Sequence, residues 1–181
     1  MHNNSEERIC NNRAPGGLGG RRQTVGEADL APARTIHVMS TTASPQLDAR
    51  VIAFLQAPHV ASLATLGDDG TPHQAVIWYR LNEDGTILVN SRAPRRWPAE
   101  LARSRRASLA IVDEGDGGRW VGLACSVVEV DDELTRARAD IVALAHRYGD
   151  AAPETIAAFM AQQRISFRLR IDAVHDHLAG D

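Results

Sequence analysis

The chain has 181 residues, 20 basic and 23 acidic side chains and a formal net charge of -3. That length suits one domain with extra segments, or at most two small domains, and the near-neutral balance counts against general nucleic-acid binding, which needs clustered cations facing phosphates. No apolar run reaches the length of a membrane helix, and the N-terminus lacks the apolar stretch of a secretory signal, so the expected compartment is the cytoplasm.

Residues 1–43 contain Asn11-Asn12, Pro15-Gly16-Gly17 and Gly19-Gly20-Arg21-Arg22, with few aliphatic side chains. Such a stretch buries too little apolar surface to offset its ordering entropy. It is expected to be a disordered leader, ahead of one folded domain over residues 44–181. A translation start at Met39 is the alternative, and Glu6, Glu7, Glu27 and Asp29 count against a transit peptide.

The elements then follow in order. Ser44-Pro45 reads as an N-cap followed by proline at the first helical position. Leu47, Val51, Ile52 and Leu55 recur at helical spacing, and Pro58 ends that helix. Residues 60–66 form a β-branched, apolar strand. Gly67-Asp68-Asp69-Gly70 is a tight turn. A second strand spans 74–81 and a third 86–90, with a turn at 82–85, which makes an antiparallel meander. A short helix is expected at 98–104, a fourth strand at 107–112, a Gly-rich turn at 113–118 and a long fifth strand at 119–130. Two helices follow, at 131–148 and 153–163. In the strand 164–171, Ile165, Phe167, Leu169 and Ile171 take one side and Arg164, Arg168 and Arg170 the other, the mark of a half-buried strand. Residues 174–177 close the chain. Six mostly antiparallel strands with few helices predict a small barrel. The order is not the βαβ alternation of a doubly wound sheet, and no GxGxxG follows a strand.

The densest chemistry lies between Asn90 and Leu101, where Asn90, Ser91, Arg92, Arg95, Arg96 and Trp97 follow a strand end and precede a helix. Guanidinium forks and a helix N-terminus both favour an anion such as phosphate. A solvated loop with solubilising arginines is the alternative. His59 and His73 have no partner at metal-ligand spacing. His175 and His177 share a strand face, but two ligands are too few for zinc. They are expected to be structural, and no metal site is predicted. Ser62, Ser91 and Ser126 lie outside any nucleophile elbow. The two cysteines, Cys10 and Cys125, make neither a CxxC pair nor a disulfide framework, and Cys125 is expected to be a small buried hydrophobe. Trp78 and Trp97 are candidates for stacking on a flat ring, although aromatics usually fall in cores and interfaces.

Three phrases together carry a resemblance. His59-Val60-Ala61-Ser62-Leu63-Ala64-Thr65-Leu66, then Asp69-Gly70-Thr71-Pro72-His73, then Ile77-Trp78-Tyr79 resemble the opening of the pyridoxamine-phosphate-oxidase-like split-barrel superfamily. The likeness continues through Arg95, Arg106-Ala107-Ser108-Leu109-Ala110, Trp120 to Glu129, and Ile165 to Ile171, to His175-Asp176-His177, and covers about residues 47–178. The chain is most similar to the branch that binds coenzyme F420, a deazaflavin, or FMN. The resemblance implies a mainly β, six-stranded antiparallel split β-barrel that dimerises about a two-fold axis, with a cofactor at each shared site. It implies that Arg95 is a phosphate ligand, with Arg92 and Arg96 beside it. The ring would lie against Ala75, Val76, Ile77 and Trp78, and Asn90 and Ser91 would line the ribityl chain. Two positions depart from the pattern. Trp97 stands where a lysine is frequent, Arg96 offering a replacement charge, and Glu100 would weaken phosphate binding if it pointed inward.

Two functions follow from these expectations. One is an oxidoreductase that moves a hydride between a bound deazaflavin or FMN and a small organic substrate. The cofactor supplies the hard chemistry, so no catalytic side chain is assigned. The other is a non-enzymatic protein that holds a cofactor or a tetrapyrrole on the same barrel, because fold does not fix function.

Overall fold

The computed structural model of the protein describes residues 45–178. The leader expected at 1–43 lies outside the described residues, as do Ser44 and Cys10. The first helix, α1 (Ala49–Gln56), is not capped at Ser44. Asp48 is its N-cap, its carboxylate accepting the Arg50 backbone N–H at 2.7 Å, which satisfies one of the free donors of the first turn. Val51, Phe54 and Leu55 form its buried stripe.

Seven strands build one antiparallel sheet. They are β1 (Ala61–Leu66), β2 (Pro72–Ile77), β3 (Tyr79–Leu81), β4 (Ile87–Arg92), β5 (Arg106–Val112), β6 (Trp120–Asp131) and β7 (Arg164–His177). Their order across the sheet is β2-β1-β5-β6-β7-β4-β3. The expected strand at 74–81 breaks at Trp78. Its first half pairs with β1, Ala61 opposite Ile77, and its second half with β4, Tyr79 opposite Val89. Both predicted hairpins exist, with Gly70 and Gly85 each at φ 78° in their turns, a conformation in which glycine carries no Cβ penalty. The strand between them bends, however, and its halves become the two opposite edges of the sheet. The sheet therefore curls into a split barrel whose edges are joined by one residue, and six expected strands become seven.

The long pair β6–β7 holds the sheet together, with register shifts between Ala124 and Cys125 and between Val127 and Glu129. Such bulges sharpen the local twist. They let β7 run unbroken to His177 instead of ending near Ile171. The barrel interior is filled by Leu63, Tyr79, Ile111, Leu123, Phe167 and Leu169 among others, none more than 1 % exposed. Cys125 is buried with them, as expected, and burial pushes its thiol up to about 12. Helix α2 (Arg96–Ser104) begins two residues earlier than the proline at 98 suggested. Pro98 occupies the first turn, where a missing N–H costs nothing. Trp97 and Leu101 drive its buried face into the barrel. Helices α3 (Leu134–Arg147) and α4 (Pro153–Met160) follow β6, and α3 packs across β4 and β7. Among the described residues no helix is long and apolar enough to cross a membrane.

Candidate functional site

The seam where the barrel splits leaves a cleft of about 260 Å³. Edge strand β2 supplies Val76 and Ile77, the break supplies Trp78, and β4 supplies Asn90. The start of α2 contributes Arg95 and Trp97, and α3, α4 and β7 close the far side with Ile141, Phe159 and Arg164. Trp78 is held in the wall by Tyr148 at the end of α3, which stacks on it with ring centroids 5.2 Å apart, and Phe159 meets its edge at 6.3 Å. The Tyr148 hydroxyl donates to the His59 carbonyl at 2.7 Å and accepts the Tyr79 N–H at 3.2 Å. Neighbouring Arg147 donates to the carbonyls of Leu55, Ala57 and Tyr79. These two residues tie the end of α1, the start of β1 and β3 together, and so fix the bend at Trp78.

Six of the ten residues expected to hold a cofactor thus line one cleft: Val76, Ile77, Trp78, Asn90, Arg95 and Trp97. The other four do not. Ala75 turns to the barrel side and packs against the core, as strand alternation from Val76 requires. Ser91 is 1 % exposed and its hydroxyl has no hydrogen-bond partner. Arg92 stands exposed at the end of β4. Arg96 turns away and donates through Nε to Glu100 Oε1 at 2.9 Å. Trp97 is 7 % exposed and packs at 5.9 Å from the Phe167 ring, so most of it belongs to the core.

Glu100 does not point into the cleft. Its carboxylate accepts the Thr65 hydroxyl at 2.7 Å and Arg96, and His73 Nδ1 stands 2.9 Å from Oε1. The Thr65 hydrogen bond, then Arg96 and His73, hold its carboxyl below the ordinary range against the opposing effect of desolvation.

Arg164 is the residue that strand alternation misplaced. It was expected on the solvent side of β7 with Arg168 and Arg170, yet it is 6 % exposed. Its Nε and Nη2 donate to Asn90 Oδ1 at 2.9 and 2.6 Å, its Nη1 donates to Gln162 Oε1 at 2.7 Å, and its guanidinium lies 5.3 Å from the Phe159 ring centre. Burial, followed by repulsion from Arg95 and Arg92, lowers its pKa to about 10. No local sequence signal marks this burial, because α3 and α4 cover a strand face that would otherwise meet water.

Two residues of the His175-Asp176-His177 run pack against neighbouring side chains. His177 stacks on Trp120 at 4.0 Å and Asp176 pairs with Arg50 at 3.2 Å. Among the described residues no group of three His, Cys, Asp or Glu side chains is placed to hold a metal ion.

Residues 47–178 match the family model described as pyridoxamine 5'-phosphate oxidase. The chain belongs to that family. No curated protein matches it in sequence. Solved structures of the same fold include an F420 reductase, 20 % identical, covering 68 % of this chain and 94 % of its own, with a TM-score of 0.61. A conserved hypothetical protein from Mycobacterium tuberculosis is 22 % identical over 74 % of this chain and 87 % of its own, with a TM-score of 0.60. The heme storage protein HutZ from Vibrio cholerae is 21 % identical over 72 % of this chain and 94 % of its own, with a TM-score of 0.53. Family membership and these neighbours establish the split barrel, as the strand pattern led one to expect.

Proposed function

We propose that the protein is an oxidoreductase that binds FMN or the deazaflavin coenzyme F420 in the seam cleft and passes a hydride between it and a small organic substrate. The observation that carries this reading is the make-up of the cleft: an apolar and aromatic wall at Val76, Ile77 and Trp78, ending at Arg95, a cation that no acid pairs among the described residues. A flat ring with an anionic tail needs those two surfaces side by side. When bound, such a cofactor supplies hydride transfer from its ring system. The chain's own residues bind and orient it. Trp78, backed by Tyr148, offers the ring a flat face, and Asn90, whose amide donates to the Ala137 carbonyl and Ser166 hydroxyl and accepts from Arg164, holds the wall in place. Arg95 offers a cation to the phosphate. Arg96 and Ala75 are excluded from this role by the directions they face.

The cleft is at the small end for a site, since ligand clefts usually enclose roughly 300–1,000 Å³. Val76, 77 % exposed, and Met160, 45 % exposed, put uncovered apolar surface near it. Both facts support a two-fold dimer in which a second copy completes the wall. Light scattering tests this, and a monomer at micromolar concentration overturns it. The cytoplasm remains the proposed compartment.

Titration with FMN and with the deazaflavin, followed by fluorescence, tests cofactor binding. Turnover of a reduced cofactor with a substrate panel tests the enzyme. Binding without turnover favours the second reading, a protein that holds a cofactor or tetrapyrrole without catalysis. The heme storage protein among the structural neighbours supports that alternative. The cleft lining counts against heme, because none of its residues is a histidine, cysteine, methionine or tyrosine, the usual axial ligands of heme iron.

A further inference from the structure

Among the described residues, Arg164 brings a full positive charge into the protein without a negative one to meet it. The ion pairs among the described residues join Arg50, Arg96, Arg103, Arg119, Arg136, Arg168 and Arg170 to acids. None reaches Arg164, nor Arg92, which pairs with it across the strands, nor Arg95, which shares its cleft. Arg138 also comes to this corner, donating through Nε to the Gln162 carbonyl at 3.2 Å. Four arginines therefore gather around Asn90 and Gln162, two neutral amides. Buried charges are ordinarily paired, and this one is held by amide oxygens alone. A guanidinium has five N–H donors. Three are engaged, one each from Nε, Nη1 and Nη2. Two remain, one on each terminal nitrogen, on a group that lines the cleft. That pair of donors suits the two oxygens of a carboxylate or phosphate.

We propose that Arg164 is a second, buried oxyanion-binding point of the cleft, which takes a carboxylate or phosphate group in addition to the phosphate assigned to Arg95. The assignment rests on the same cleft as the function proposed above and deepens it. The occupant is then either a second anionic group of the cofactor or an anionic group of the substrate, which would make the substrate a small organic acid or phosphate ester. The neutral amides hold the guanidinium in position without cancelling its charge, so it stays free to bind.

Inorganic phosphate is the probe, read as the rise in melting temperature of the full chain with no cofactor added. The parent protein is expected to respond saturably. Arg164→Gln should raise the apparent Kd about tenfold or more, the loss expected for one charge-assisted anion contact. Gln162→Glu is the second variant. It sets a carboxylate against the same guanidinium at a position already 2.7 Å away, keeps the fold, and should remove the phosphate response to a similar degree. Arg106→Ala, an exposed arginine on β5 away from the seam cleft, should titrate like the parent. A parent that gives no saturable response, or an Arg164→Gln or Gln162→Glu variant that titrates like the parent, overturns the proposal. Repeating the titration in an Arg95→Ala background, which leaves Arg164 as the cleft's oxyanion point, with FMN or riboflavin bound, assigns the source. Phosphate that competes with FMN and not with riboflavin places a cofactor anion at Arg164, and phosphate that binds alongside FMN places the substrate's anion there. A protein that binds phosphate through Arg164 and no flavin would sink the oxidoreductase reading and leave this one standing.

Discussion

Two clusters lie on either side of the loop that ends β4, and each is built around a buried group of one charge. At Glu100 the carboxylate meets the Thr65 hydroxyl, Arg96 and His73, and the charge is answered from within. At Arg164 the guanidinium meets Asn90, Gln162 and the Phe159 ring, and no acid among the described residues answers it. The first cluster closes the junction of β1, β2 and α2. The second leaves a charge open to a cleft. Because a buried charge is costly without a partner, the closed cluster reads as architecture and the open one as a place for a ligand. Arg95 and Arg96, adjacent in the chain, fall on opposite sides of this division.

The two tryptophans of the cleft give the largest test of that division. Trp97 belongs mainly to the core, so Trp97→Ala should cost about 3–5 kcal/mol, as for large aromatics cut to alanine, measured by denaturant unfolding. Trp78 is only half-buried, and Trp78→Ala should cost less, roughly 1–2 kcal/mol, while weakening cofactor binding more clearly. Equal stability losses would erase the distinction between wall and core.

The adjacent arginines come next. Arg95→Ala should weaken binding of whichever cofactor the protein takes by about 1.5–3 kcal/mol, tenfold or more in Kd. Arg96→Ala should leave that Kd within a factor of about two, since its guanidinium is committed to Glu100 and a lost surface ion pair matters little. Isothermal titration of both variants decides the matter, and equal losses would mean that the loop rearranges on binding.

Tyr148→Phe removes one hydroxyl that serves the His59 carbonyl and the Tyr79 N–H. It should lower stability by about 1 kcal/mol and keep the Trp78 stack, read by unfolding and by tryptophan fluorescence. The smallest effect is in acid. The Glu100 carboxyl ionises at lower pH folded than unfolded, so the unfolded chain binds more protons there. Its contribution is complete above the unfolded value near 4.3 and fades as pH falls through the lower folded value. The melting-temperature gap between the parent and Glu100→Gln should therefore be widest near neutrality and narrow below about pH 4. A gap that is constant with pH would show that the charge of Glu100 contributes nothing.

The strands, their hairpins and the split-barrel class were legible in the sequence because their causes are local. Apolar alternation repeats every two residues, and the Gly70 and Gly85 turns need only a backbone that tolerates φ near 78°. The arginine-rich loop was legible for the same reason, since Arg92, Arg95 and Arg96 stand between a strand end and a helix start. Tertiary structure alone decided which of those arginines faces the cleft, because Arg96 follows a carboxylate one helical turn along α2 that Thr65 and His73 anchor from other strands. It also decided that the strand through Trp78 divides, because its halves pair with strands at opposite ends of the sheet. Arg164 shows the limit most plainly. Within β7 it alternates like a solvent-facing residue, and its burial comes from Asn90, 74 positions away, together with helices α3 and α4 laid over that face. Alternation reports which side of a strand a residue takes, and only the packing of distant segments determines whether that side meets water.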